Sequence, residues 1–270
     1  MNTLYIDYTH SVPRRQAKVH GGGNYTRTLL VNILRYLEDS GSICKIVVLW
    51  PKDYLPNSDV EKSIYESKGV EILSVDASID KIDYEPGATL FLPLLGVKEF
   101  PLLKLLKKKK INTVLTIHGL RLLDYKIDLY NIDYVAGLLA KTKALIQELT
   151  LPVRQAVYKY SIKKYTKYAD TIITVSNYTL ARMAKYCHIN KVLLQFQGTY
   201  LEANDSYNDK FGKSEDYILF VSGNRSEKNL ARTIDAYKHY LKCSEKKMPL
   251  YVVGTSAQTR KALTRSLKLD

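Results

Sequence analysis

The sequence is poor in cysteine and has no long apolar run. Its three cysteines, Cys44, Cys187 and Cys243, are widely separated and odd in number, which argues against a disulfide framework and a zinc site. No stretch of about 18 uninterrupted apolar residues is present, so no membrane-spanning helix is expected. The first ten residues also lack the basic and apolar regions of a signal peptide. We therefore expect a cytoplasmic protein with reduced thiols and no bound metal.

Positive charge dominates the composition. The 270 residues carry a net charge of +14, which is compatible with nucleic acid, an anionic membrane surface or phosphorylated small molecules as partners. A lysine-rich composition without a specific partner is the alternative. The sequence contains no helix-turn-helix, zinc-finger or RNP-like motif, so we do not expect a nucleic-acid partner.

Strand and helix patterns alternate along the chain, which predicts parallel sheets covered by helices. The predicted strands are 4–8, 43–50, 70–75, 89–92, 114–117, 171–175, 192–196, 217–221 and 250–253. A helical pattern covers 133–167 and is interrupted at Pro152. The polar segment between the predicted strands 192–196 and 217–221 indicates a linker. We therefore predict an N-terminal domain 1–197, a linker 198–216 and a C-terminal domain 217–270.

The segment 217–230 combines a buried strand, a glycine turn, a basic loop and a helix start. Such a turn directs backbone N–H groups and a lysine toward one point. This arrangement suits a phosphate, because a helix start is electropositive and its first N–H groups lack partners. Gly223, Arg225 and Lys228 are therefore candidate phosphate ligands. The alternative is a solvated loop, in which lysine and arginine are common.

Two features of the N-terminal domain also suggest a ligand site. Gly21, Gly22 and Gly23 precede a helix and let a phosphate or sugar approach the backbone closely, although they do not match the dinucleotide fingerprint. His118 follows a strand, at the sheet edge where open α/β sheets bind ligands. It could donate a hydrogen bond to a sugar or move a proton, and is the candidate catalytic residue. The alternatives are a flexible turn and a histidine that bonds a neighbouring loop.

Two basic stretches, 100–110 and 158–168, combine lysine with leucine or tyrosine. Basic amphipathic segments with aromatic residues are typical of proteins that bind an anionic bilayer surface. Ordinary helices with a buried apolar side and solvated lysines are the alternative. Peripheral binding to the inner face of the cell membrane is accordingly a hypothesis about localisation.

Four segments resemble, in the same order, those of the family 4 glycosyltransferases. They are 21–27 (GGGNYTR), 116–124 (TIHGLRLLD), 168–178 (YADTIITVSNY) and 217–230 (YILFVSGNRSEKNL). The last two are the more specific, and the resemblance covers most of the chain. It implies a GT-B-like α/β fold with two Rossmann-like parallel-sheet units and a retaining hexosyltransferase activity. The expected reaction moves a sugar from a nucleotide diphosphate sugar to a glycan or lipid-linked acceptor in surface polysaccharide synthesis.

The resemblance also implies roles for individual residues. Lys228, with Arg225 as its partner and Gly223 in the turn, would bind the donor diphosphate. Gly22 and Gly23 would line the cleft, and His118 would lie beside the transferred sugar. The nucleotide sugar is the substrate, and neither a cofactor nor a metal is expected.

Two departures from the family pattern keep alternatives open. Gly119 stands where the family often has aspartate, and the family's Glu-x7-Glu segment would lie beyond residue 270. We therefore expect the second unit to be truncated and the chain alone to have little activity. It could instead be a catalytically incomplete binding or partner subunit of a split glycosyltransferase, whose second chain carries the missing half. Another phosphate-binding Rossmann-like enzyme, such as a sugar epimerase, is the remaining alternative.

Overall fold

The chain forms two compact units in the computed structural model. The first consists of Met1–Leu123 and Val157–Leu201, and the second of Asp124–Ala156 and Glu202–Asp270. The structure describes residues 2–12, 21–55, 58–76, 79–94, 100–130, 132, 137–186, 192–196, 216–221, 228–257 and 261. The predicted linker 198–216 lies almost entirely outside these residues, so the predicted domain boundaries stay a prediction.

A seven-stranded sheet forms the centre of the first unit, and all of its strand pairs are parallel. The strands are β1 Asn2–Asp7, β2 Cys44–Pro51, β3 Glu71–Val75, β4 Thr89–Leu92, β5 Asn112–Ile117, β6 Thr171–Thr174 and β7 Val192–Leu194. Their order is β3-β2-β1-β4-β5-β6-β7. This is the Rossmann order with one more strand at the edge, and it reverses between β1 and β4.

Helices cover both faces of this sheet. They are α1 Gly21–Ser40, α2 Asp59–Ser67, α3 Phe100–Lys108, the short α4 Arg121–Asp124, α6 Leu151–Tyr168 and α7 Asn177–Tyr186. The buried side chains of α1 and α2, Leu30, Leu34 and Tyr65, pack in one apolar cluster. Those of α3, α6 and α7 pack in the other, on the opposite face. Successive residues of each strand alternate between the two clusters, as the period of a strand requires.

The strand β2 shows most clearly how an apolar sequence leads to burial. Its run from Ile46 to Trp50 is apolar throughout, and each of these residues is at most 4% exposed. A strand covered by helices on both faces reads as a continuous apolar run instead of an alternating one. The run 46–50 is accordingly buried on both faces of the sheet.

The second unit contains a βαβ element. The strands β8 Ile218–Val221 and β9 Leu250–Val253 are parallel neighbours, and α8 Leu230–Cys243 connects them. On one face of this small sheet, Leu230 and Ile234 of α8 pack against the strands. The residues of the other face, Leu219, Val221, Tyr251 and Val253, are more than half exposed. The prediction of an α/β fold with two Rossmann-like parallel-sheet units is confirmed.

Arg232 of α8 ties a distant segment of the second unit to this element. Its guanidinium donates to both carboxylate oxygens of Asp128, at 2.6 and 3.0 Å, and lies 4.6 Å from the centroid of the Tyr130 ring. The hydrogen bond from Arg232 lowers the pKa of Asp128. This pairing ties Asp128 and Tyr130 to α8, and the next helix along the chain is α5 Leu138–Leu149.

Candidate functional site

The carboxyl edge of the first sheet brings the predicted N-terminal site residues together. The strand order reverses between β1 and β4, and the crevice outside the carboxyl ends of strands at such a point is where open α/β sheets bind ligands. The chain that leaves β1 leads to the glycine start of α1, and β5 ends immediately before His118. Both therefore belong to the edge at which a ligand is expected.

The three glycines form the first turn of α1, whose start is held against the turn after β1. Gly23 is buried, and a Cβ added to it would lie 2.6 Å from the carbonyl oxygen of Ser11. The Ser11 hydroxyl donates to Thr26 Oγ1 at 2.8 Å, and Thr26 Oγ1 donates to the Gly22 carbonyl at 3.1 Å. Close packing of two backbone segments therefore explains Gly23, whatever ligand the glycines bind.

The ring of His118 is fixed from two sides. Its Nε2 lies 2.8 Å from the carbonyl oxygen of Pro93. A carbonyl can only accept, so Nε2 carries the proton of this bond. The Tyr25 ring packs edge-on against the imidazole, with centroids 4.7 Å apart and planes at 90°. His118 therefore does bond a neighbouring loop, which was the alternative to a role in ligand binding. This bond is compatible with a role at the ligand site, because it holds the ring in one orientation.

Tyr25 links the glycine turn to the end of β5. It stands two residues after Gly23, and its hydroxyl is 3.1 Å from Thr116 Oγ1. Burial raises the pKa of Tyr25, and the Thr116 hydrogen bond offsets part of that rise. The phenol therefore stays neutral at neutral pH. Through this one side chain the structure brings together the glycine segment and His118, which the sequence suggested separately.

A cavity of about 200 Å³ opens beside His118. It is lined by Leu94, Thr116, Ile117, His118, Gly119, Arg121, Tyr158, Ile162 and Tyr165. The Tyr158 hydroxyl donates to the Gly119 carbonyl at 3.3 Å. Burial raises the pKa of Tyr158, with Arg121 acting in the opposite direction. The lining thus offers an imidazole, a guanidinium and neutral hydroxyl groups above an apolar floor.

Several residues at this edge of the sheet were not predicted as site residues from the sequence. Asp7 ends β1, is 1% exposed, and accepts hydrogen bonds from the amide and hydroxyl of Thr9 at 2.8 and 2.6 Å. Its position at the end of an apolar strand was the available signal. Tyr25 lies within the glycine segment, and Tyr158 belongs to a stretch that the sequence indicated only as a membrane candidate.

The predicted phosphate site of the second unit is described in part. Gly223 and Arg225 lie outside the described residues. Lys228 is exposed and stands two residues before α8. The intervening Asn229 adopts a left-handed conformation, with φ of 62°. The predicted strand and helix are present as β8 and α8, and the phosphate-binding role of these residues stays a prediction.

The two basic stretches are largely built into the first unit. The leucines of α3 that face inward, Leu102, Leu103 and Leu106, are at most 6% exposed, as are Ile162 and Tyr165 of α6. Lysines 107–110 are exposed. This burial fits the alternative of ordinary helices with a buried apolar side, and membrane binding by the two stretches stays a prediction.

Within the described ranges, no group of three or more metal-ligating side chains comes together. Within the same ranges, no helix has the length and apolar character needed to cross a bilayer.

Comparison with known proteins gives a likeness of fold only. No family model matches the sequence, and no curated protein matches it. Among solved structures, the crystal structure of UGT89C1 from Arabidopsis thaliana complexed with UDP-L-rhamnose is similar to this chain. The match covers 94% of this chain and 69% of the other, with 11% identity and a TM-score of 0.46. At this identity and TM-score the likeness does not extend to activity, substrate or site residues.

Proposed function

We propose that the chain is a glycosyltransferase of the retaining GT-B type. It moves a sugar from a nucleotide diphosphate sugar to a glycan or lipid-linked acceptor, in surface polysaccharide synthesis. The observation that carries this proposal is the contact between Tyr25 and His118. It joins two segments that resemble the family, at the carboxyl edge of a Rossmann-type sheet and next to a cavity.

The cavity beside His118 suits a sugar. At about 200 Å³ it has roughly the space of six or seven waters of about 30 Å³ each. That is less than the roughly 300–1,000 Å³ typical of sites for drug-sized ligands. Sugar hydroxyls both donate and accept, and the lining offers His118, Arg121 and Tyr158 as partners. Because Pro93 and Tyr25 fix its ring, His118 can bond a sugar hydroxyl without first being reoriented.

In the second unit, the role proposed for Lys228 is to stabilise the leaving diphosphate. When the bond between the anomeric carbon and the diphosphate breaks, negative charge develops on the leaving group. Positioned cations and N–H groups stabilise such charge most effectively when no reorganisation is needed. Lys228, Arg225 and the helix-start amides are the groups we assign to this role, with Gly223 allowing close approach of the backbone.

Replacing Lys228 with alanine is expected to weaken binding of a nucleoside diphosphate about tenfold. A hydrogen bond to a charged group contributes about 1.5–3 kcal/mol, and the lower end corresponds to that factor. Calorimetric titration with UDP, GDP and ADP measures the effect. Lys242→Ala is the matched control, since Lys242 is an exposed lysine in the last turn of α8, the helix that begins two residues after Lys228. Equal affinities for the two variants would remove Lys228 from the site.

A partner-dependent protein is the second candidate, and one observation favours it. The outer face of the β8–β9 sheet exposes Leu219, Val221, Tyr251 and Val253 by 52–56%. A parallel sheet is normally covered on both faces. If a further segment or a second chain supplies this cover, sugar transfer from a panel of nucleotide sugars should require its addition. Full turnover by the 270-residue chain without any addition would argue against this candidate.

A further inference from the structure

The helix α5 turns its apolar stripe toward solvent. Leu138 and Leu139 are 82% and 89% exposed, and no residue of α5 is buried. The complete stripe consists of Leu138, Leu139, Leu145, Ile146 and Leu149. At 3.6 residues per turn these positions span an arc of about 120°, which is the width of the face that a surface helix normally buries in its core. Here that face points away from the second unit.

The opposite side of α5 holds the helix in place. Only Lys141, Ala144 and Glu148 are partly buried within α5. Glu148 accepts a hydrogen bond from the backbone amide of Asp128 at 2.9 Å and one from the Tyr125 hydroxyl at 3.4 Å. Asp128 is itself clamped by Arg232. The outward orientation of the leucines therefore follows from a bonded anchor on the other side of the helix.

Positive charge flanks the stripe on both sides. Two lysines lie about 40° beyond its two edges when the helix is viewed down its axis: Lys143, which is exposed, and Lys141, which is half-buried at the border with the anchored side. Glu148 is the single acidic residue of α5, and it belongs to the anchored side. The following helix continues the pattern, with Val153 66% exposed and Arg154 exposed beside it.

We propose that the apolar stripe of α5 and its flanking lysines form a docking surface for an anionic lipid bilayer. The helix lies in the plane of the interface, and its leucines enter the boundary between headgroups and acyl chains. The lysines reach back to the lipid phosphates along their alkyl stems. This places the membrane contact on α5 and not on either stretch that the sequence suggested.

A second copy of the chain is a poorer occupant of this surface. Two such faces packed together would bring lysines against lysines. The solvent-facing side of α5 carries no carboxylate to pair with them. An anionic bilayer matches both the apolar and the charged parts. Docking requires no sugar donor, so the proposal stands or falls independently of the transferase activity.

Co-sedimentation of the full chain with vesicles tests the proposal. We expect binding to vesicles of phosphatidylcholine mixed with phosphatidylglycerol, and much weaker binding to phosphatidylcholine alone. The double change Leu138→Ser and Leu139→Ser should lower partitioning by about tenfold or more, because two large apolar groups no longer leave water. The double change Lys141→Gln and Lys143→Gln should lower it about tenfold on anionic vesicles only.

The matched control removes exposed apolar surface elsewhere. Ile43 and Val60 are 79% and 68% exposed, and Ile43→Ser with Val60→Ser should leave vesicle binding unchanged. Thermal melts confirm that each variant folds. Absence of wild-type binding to the anionic vesicles, or equal binding by the leucine and control variants, would overturn the proposal. So would a leucine variant that converts a dimer to a monomer while its vesicle binding stays unchanged.

Discussion

Replacing His118 with alanine is expected to lower kcat/KM for sugar transfer by about 100-fold or more. Positioned groups that exchange a proton or hydrogen bond in the transition state typically contribute about 10²–10⁴ in rate. His118 lines the cavity and is oriented by Pro93 and Tyr25. Initial rates of sugar transfer or donor hydrolysis, with a panel of nucleotide sugars, measure the effect.

His118→Gln separates a direct role from a role in holding the neighbouring loop. The glutamine amide can still donate to the Pro93 carbonyl but has no second ring nitrogen. Low activity of both variants, with wild-type melting temperatures, is the expected result. Recovery of activity in the glutamine variant would mean that His118 acts only by positioning the segment around Pro93. Wild-type rates in both variants would exclude His118 from the site.

Parts of the parallel sheet were predictable because strands such as β2 and β4 are nearly continuous apolar runs. The predicted strand 43–50 corresponds to β2 Cys44–Pro51, and 89–92 corresponds to β4. A strand covered on both faces is mostly apolar, which makes it visible in the sequence. Ser176 caps α7, because its Oγ accepts a hydrogen bond from the backbone amide of Thr179 at 3.1 Å, which is the usual role of a serine just before a helix.

The break within the helical pattern 133–167 was placed slightly too late. The sequence indicated an interruption at Pro152, whereas α5 ends at Leu149 and α6 begins at Leu151. Pro152 is the second residue of α6. Proline lacks an N–H group that a first turn would leave unpaired in any case, so it is tolerated there. The proline thus marks the start of the next helix instead of a kink.

The orientation of α5 could not be predicted from its periodicity. Leucines at helical spacing indicate an amphipathic helix, but they do not say which direction the stripe faces. That direction depends on Glu148, whose partners at Asp128 and Tyr125 are about 20 residues distant. The contact of Tyr25 with His118 has the same character, since it joins residues far apart in the chain. Tertiary pairing of this kind leaves no local pattern.

Replacing Gly23 with alanine is expected to destabilise the first unit by about 1–3 kcal/mol. The new Cβ would lie 2.6 Å from the Ser11 carbonyl oxygen, and relieving such a contact in a packed site costs about that much. Without this contact, alanine would stabilise the helix by about 1 kcal/mol relative to glycine. The sign of the change in unfolding free energy therefore shows whether the contact with Ser11 or the helix propensity is the larger effect. Fluorescence of Trp50, the single tryptophan, follows unfolding of this unit, because Trp50 is buried in the cluster that α1 joins.

Gly119→Ala is the matched control at the same sheet edge. A Cβ added there would meet only Arg121 Cγ, at 3.9 Å, which is an ordinary contact, so its unfolding midpoint should change little. Gly23→Ala should also lower transfer activity, because the turn after β1 must move away from the start of α1. A midpoint for Gly23→Ala equal to that of Gly119→Ala would show that the backbone of Ser11 yields without cost. In that case close packing would not explain Gly23, and a requirement for ligand approach would be the remaining account of the glycine.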